Sequence, residues 1–176
     1  ATSLAISGKK TLLIGLDLRA SKIPKLLDIE DILGVSNFVK NKDLSLDAIT
    51  EKFYDVDNLD IINSGDSPPN PVELLMDPRL NEIFKEVKTK YEYIIVDTAP
   101  VGLVTDTIQV GKFADLTIYV VKANHLDKGM LRIPERLNSE KKLFNMSYLL
   151  NGTELSRNSY GYGYGQEKRK AWYKIK

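Results

Sequence analysis

Four continuous apolar runs punctuate the chain, each bounded by polar or turn-forming residues. They are Thr11 to Asp17 (TLLIGLD), Tyr93 to Asp97 (YIIVD), Leu116 to Lys122 (LTIYVVK) and Met146 to Asn151 (MSYLLN). Runs without polar alternation read as strands buried on both faces, the signature of a parallel sheet. Leu59 to Asn63 is a weaker strand of the same kind, and Thr2 to Ser7 reads as the last turns of a helix.

Helical patterns separate these runs. Pro71 to Leu75 opens behind Asn70 as N-cap, with Pro71 at the first helical position. From Arg79 to Lys90, Leu80, Ile83, Phe84 and Val87 recur at the spacing of one helical face. Thr105 to Lys112 and Asp127 to Lys142 supply two more helices, the latter bent or interrupted at Pro134. Strand–helix alternation predicts an α/β fold with a doubly wound, mostly parallel sheet. Periodicity stops at Gly152. The expected organisation is a nucleotide-binding-type domain over residues 1–152 and a flexible, polar, Gly-rich tail over 153–176.

Composition narrows the function. An apolar fraction of 43% and a charged fraction of 28% over 176 residues suit one ordinary globular domain. With 25 basic against 24 acidic residues the net charge is +1, which argues against a nucleic-acid partner. The absence of cysteine excludes thiol catalysis, disulfides and zinc–thiolate sites. No apolar run approaches the ~18 residues of a membrane span, and the first residues do not resemble a signal peptide.

Two of the apolar runs end in an acid, Asp17 and Asp97. Ligands of open α/β sheets bind beyond the carboxyl ends of the strands, where such an acid can hold Mg²⁺ against a nucleotide's phosphates. A single strand-end Asp more often only caps the next turn. The pair, set in Leu13-Ile-Gly-Leu-Asp-Leu-Arg19 and Ile94-Ile-Val-Asp-Thr-Ala-Pro100, favours a nucleotide site. His125, the one histidine, lies in a polar loop and makes no metal cluster.

These strings resemble the cytoplasmic kinase domain of bacterial tyrosine kinases that regulate capsule and exopolysaccharide export. That family belongs to the deviant-Walker P-loop ATPases, with MinD and ParA as cousins. Leu12 to Arg19 is similar to the family's Asp-x-Asp-x-Arg strand, and Tyr93 to Val101 to its Walker B strand. Ser67-Pro-Pro-Asn-Pro-Val-Glu-Leu-Leu75 resembles a segment typical of the kinases and not of the cousins. Val104-Thr-Asp106, Leu150-Asn-Gly152 and the tyrosine-rich end fit as well, so the resemblance covers nearly the whole chain.

The resemblance implies a P-loop NTPase fold, ATP and Mg²⁺ as cofactors, and Asp17 and Asp97 as metal-binding and catalytic acids. It implies nucleotide contacts from Arg19 and Thr98, and a base contact from Asn151. Two departures stand out. Gly15 occupies the place of the family's first acid, which assists the metal or accepts the tyrosine proton, leaving Asp17 or Asp97 to serve. No Gly-x-x-x-x-Gly-Lys-Ser/Thr occurs in the sequence, so the loop that cradles the phosphates is expected just upstream of Ala1, on a central strand. Without that strand two sheet edges lie open, and residues 1–176 alone are expected to be unstable and inactive on ATP.

Tyr160, Tyr162 and Tyr164 alternate with glycine, and Tyr173 follows among the basic residues Lys168, Arg169, Lys170, Lys174 and Lys176. Behind a kinase-like domain this tail is expected to be the phosphoacceptor. Full modification would add roughly −6 to −8 charges, enough to reverse a basic tail. The reading is an autokinase in which each tail enters its neighbour's site within a ring-like homo-oligomer. The implied partner is a membrane-embedded polysaccharide co-polymerase region or activator, and the implied location is the cytoplasmic side of the bacterial inner membrane. Two alternatives remain: a MinD/ParA-like nucleotide-gated assembly ATPase, and a catalytically impaired regulator.

Overall fold

The computed structural model describes residues 1–27, 33–101 and 106–153. The order is α1 (Thr2–Ile6), β1 (Thr11–Leu16), α2 (Ile23–Leu27), α3 (Val35–Lys40), β2 (Thr50–Lys52), β3 (Leu59–Ile62), α4 (Pro71–Met76), α5 (Pro78–Lys90), β4 (Tyr93–Thr98), α6 (Asp106–Gly111), β5 (Thr117–Lys122), α7 (Arg132–Ser139) and β6 (Met146–Asn151). One sheet has the order β2-β3-β1-β4 and a second pairs β5 with β6. All pairings are parallel except β2 with β3.

β1 organises both sides of the larger sheet. Leu12, Ile14 and Leu16 join Val35 and Phe38 of α3, Leu74 and Leu75 of α4, and Leu80, Ile83, Phe84 and Val87 of α5 in the main core. Leu13, pointing the other way, packs on a smaller cluster of Ala5, Ile23, Leu59 and Ile61. The predicted apolar face of α5 is therefore the face it buries. Asp77 caps α5 by accepting from Arg79 N at 2.8 Å.

Arg79 also clamps the loop after α3. Its guanidinium donates to the carbonyls of Asn41 (2.8 Å) and Leu44 (3.3 Å) and lies 4.1 Å from the Phe38 ring. Charge-assisted bonds and a cation–π contact at a largely covered side chain argue for a substantial contribution. Arg79→Ala is expected to destabilise the domain by about 2 kcal/mol, read as a lower urea midpoint at unchanged slope.

Several sequence expectations change. Asn70 precedes α4, as expected, but makes no side-chain cap bond; its Nδ2 donates to Glu73 Oε2 at 3.2 Å instead. Pro134 does not interrupt a helix. A 3₁₀ turn over Lys128–Leu131 ends where α7 begins, so Pro134 falls in the first turn of α7, where a missing N–H costs nothing. Among the described strands the apolar runs are buried on both faces in β1 and β3 alone. In β5, Ile118 and Val120 remain 54% and 58% exposed, and Ile95 of β4 remains 36% exposed.

The topology supplies the reason. β4 and β5 follow one another through α6, yet they are not hydrogen-bonded together, and each ends its own sheet. The two sheets are linked by packing: the Phe84 and Phe113 rings stack at 4.2 Å, and Thr107 Oγ1 donates to the Ala99 carbonyl. Among the described residues no helix is long and apolar enough to cross a membrane. Tyr160, Tyr162, Tyr164 and Tyr173, the tail, and Val104 and Thr105 lie outside the described residues.

Candidate nucleotide and metal site

The two predicted acids meet at the carboxyl edge of the larger sheet. β1 and β4 are in parallel register with Gly15 opposite Asp97 and Leu16 opposite Thr98. Alternation then puts Gly15, Asp97 and, one step past the end of β1, Asp17 on one face, while Thr98 turns towards the opposite, main-core face.

Asp17 is half-buried and its Oδ1 accepts from the backbone N–H groups of Arg19 (3.2 Å) and Ala20 (3.1 Å). It thus closes the turn after β1, the structural role open to any strand-end Asp. Asp97 holds its proton more tightly than an ordinary carboxylate. The main cause is desolvation, followed by the charge of Asp17, with Lys22 opposing both. A carboxyl perturbed by burial and by a second carboxyl marks a place that a cation would relieve.

That perturbation has a consequence for stability. The folded-state value is raised, so ionisation of Asp97 works against folding once the pH rises through it. Asp97→Asn is expected to raise the melting temperature of the nucleotide-free protein at about pH 7. The gain should vanish near pH 3, below the unfolded carboxyl value of about 3.9. Calorimetry across that range checks it.

Arg19 is exposed and lines a recess of about 300 Å³ with Pro69, Asn70, Pro71, Val72 and Glu73. Ser67 Oγ holds this segment to the turn by donating to the Leu18 carbonyl at 3.1 Å. The proline-rich string and the turn after β1, distant in sequence, therefore share one edge of the sheet. Asn151 is placed differently. It ends β6 in the second sheet, exposed, with Oδ1 accepting from Gly152 N at 2.8 Å. His125 is exposed in the turn after β5.

Sequence reasoning missed what surrounds Gly15. A Cβ there would lie 3.2 Å from Ile23 Cδ1 and 3.3 Å from Ser64 N. Ile23, first residue of α2, covers one side of that position. Asn63 was legible only as a strand end; its burial has no hydropathy signal.

Two carboxylates at a strand edge fit Mg²⁺, which is held through one or two carboxylates and completes its sphere with water and substrate phosphates. Asp17 and Asp97 are the residues that would hold it.

No family model matches the chain. Individual proteins do. It is 34% identical over 175 residues to tyrosine-protein kinase CpsD of Streptococcus agalactiae, spanning 97% of this chain and 75% of that one. It is 31% identical over 166 residues to tyrosine-protein kinase YwqD of Bacillus subtilis, spanning 92% and 68%. The chain belongs to the bacterial tyrosine-protein kinases.

The fold agrees with that membership. The kinase domain of Escherichia coli tyrosine kinase ETK superposes with a TM-score of 0.79 at 30% identity, over 93% of this chain and 64% of that one. More distantly, the septum site-determining protein MinD of Pyrococcus horikoshii, complexed with Mg-ADP, superposes with a TM-score of 0.65 at 19% identity, over 85% and 60%. The latter is a likeness of fold alone. The α/β architecture with a mostly parallel sheet, expected from the strand–helix alternation, is the architecture found.

Proposed function

We propose that this chain is the nucleotide-binding part of an ATP-dependent protein-tyrosine autokinase acting on its own tail in capsule or exopolysaccharide export. The observation that carries the reading is the convergence of Asp17 and Asp97 on one face at the carboxyl edge of a parallel sheet. Family membership gives that edge its chemistry.

ATP supplies the phosphoryl group, and Mg²⁺ neutralises charge on the phosphates. In the transfer, a tyrosine Oη forms a bond to the γ-phosphorus while the bond from that phosphorus to the β–γ bridging oxygen breaks, releasing ADP. Asp97 takes the phenolic proton as general base. Asp17 orders the turn that presents Arg19, which contacts the phosphates. Asn151 completes the nucleotide's surroundings from β6. The slot between β4 and β5 receives a parallel strand carrying the phosphate-binding loop. This one strand would join the two sheets and cover Ile95, Ile118 and Val120.

Tyr160, Tyr162, Tyr164 and Tyr173 are the acceptors, presented in trans by a neighbour in a ring-like oligomer. The partner is a membrane-embedded co-polymerase region or activator at the cytoplasmic face of the inner membrane. A second reading is a nucleotide-gated assembly ATPase whose tail only binds.

The test is to supply the full-length gene product with γ-labelled Mg-ATP. Label in tyrosine supports the kinase. Label released wholly as inorganic phosphate, with assembly that follows the nucleotide, supports the second reading. The trans arrangement is tested by mixing active subunits with an inactive one. If the inactive subunit's tail stays unmodified, transfer is within one subunit.

A further inference from the structure

One buried polar group is unused by the site as described so far. Asn63 follows β3 and is 1% exposed, yet among the described residues neither its Oδ1 nor its Nδ2 has a hydrogen-bond partner. An unpaired buried amide is unfavourable and is normally satisfied by protein or water. Its backbone is fixed from both sides, since Asn63 O accepts from Val35 N at 2.9 Å and the neighbouring Ser64 O accepts from Ser36 N at 3.0 Å. The side chain therefore cannot easily leave.

Its position in the sheet gives the amide a direction. Leu13 of β1 is registered with Ile61 of β3. Two residues on, Gly15 stands level with Asn63, and a Cβ at Gly15 would lie 3.8 Å from the Asn63 carbonyl carbon. On its other side Gly15 is registered with Asp97. Residues two apart share a face, so Asn63, Gly15 and Asp97 form one row across three strands, with the unpaired amide at one end and the perturbed acid at the other. The middle place lacks a side chain of its own; a Cβ there would lie 3.2 Å from the tip of Ile23, a flexible methyl, and 3.3 Å from the backbone N of Ser64.

We propose that Asn63 is a positioning residue for the metal, its amide holding a Mg²⁺-bound water at the level of Gly15. This inference rests on the nucleotide-site reading above. A hydrogen bond to a metal-bound water replaces, from the adjacent strand, the function that an acid at position 15 would supply. The tip of Ile23 rotates aside to admit the water. The row then has a donor–acceptor amide at β3, ordered water at β1 and a carboxylate at β4. Outer-shell partners of this kind orient the groups that touch the metal.

The test reads Mg²⁺ dependence of fluorescent-ADP binding to the full-length protein, which does not require turnover. Asn63→Leu is expected to raise the Mg²⁺ concentration for half-saturation about tenfold, the usual size of an outer-shell loss. Its nucleotide-free melting temperature should hold or rise, because an unpaired buried amide has been replaced by an apolar side chain. Asn63→Asp, nearly isosteric, is expected to lower the Mg²⁺ requirement and guards against a folding defect in the leucine variant. In a Gly15→Asp background, with a carboxylate placed directly, the effect of Asn63→Leu should shrink to about twofold or less.

Two results overturn the inference. If the unaltered protein binds ADP with Mg²⁺ dependence that neither Asn63 variant shifts, Asn63 is only a packing residue and the nucleotide reading stands. If the unaltered protein shows no Mg²⁺-dependent ADP binding, the nucleotide reading and this inference fail together.

Discussion

Asp97→Ala is expected to lower phosphotyrosine formation by the full-length protein about a thousandfold. Removing a charge aimed at the reacting phosphate typically costs 10²–10³ in rate, and Asp97 is asked to serve both metal and proton. Asp17→Ala should cost less, because part of its role is to accept two backbone N–H groups that water can satisfy in an exposed turn. Single-turnover rates at saturating Mg-ATP separate the two. Equal losses would mean that the acids act as one unit.

Residues 1–176 produced alone are expected to melt in a broad, shallow transition and to turn over no ATP. Ile95, Ile118 and Val120 are between one-third and three-fifths exposed. Covering what remains of three such side chains contributes roughly 3 kcal/mol, before the hydrogen bonds of two strand edges are counted. Typical domain stability is about 5–15 kcal/mol, so an effect of this size decides whether the fold is cooperative. The same domain with the phosphate-loop strand in place should give one sharp calorimetric peak. A sharp peak from residues 1–176 alone would mean that β5 and β6 are anchored well enough by Phe113, Leu137 and Leu143, and that the slot is not a missing strand's place.

The structure also shows which features a sequence declares. β1, β3, β4, β5 and β6 were legible because parallel strands are continuous apolar runs, and α5 because Leu80, Ile83, Phe84 and Val87 repeat at helical spacing. Asp17 and Asp97 were legible as acids at strand ends. α3 was not, because Val35 and Val39 are β-branched and Ser36 and Asn37 are turn formers; burial of Val35, Phe38 and Val39 against the core overrides local preference. The cap at Asp77 was hidden by the Pro78 that follows it, and the exposure of β4 to β6 by the assumption that every apolar strand has both neighbours. Asn63 was hidden most completely. A polar residue at a strand end looks like the start of a loop, and only register across three strands reveals that it is buried beside Gly15 and in line with Asp97.

The proposed function depends on the tail, which is also where the central claim is most exposed to test. The decisive measurement is residue-resolved mass spectrometry of the full-length protein after incubation with Mg-ATP, beside an Asp97→Asn control. The proposed function predicts phosphate on Tyr160, Tyr162, Tyr164 or Tyr173 of the unaltered protein and almost none on the control. Unmodified tail tyrosines in a protein that binds Mg-ATP, or equal phosphate on both proteins, would contradict it.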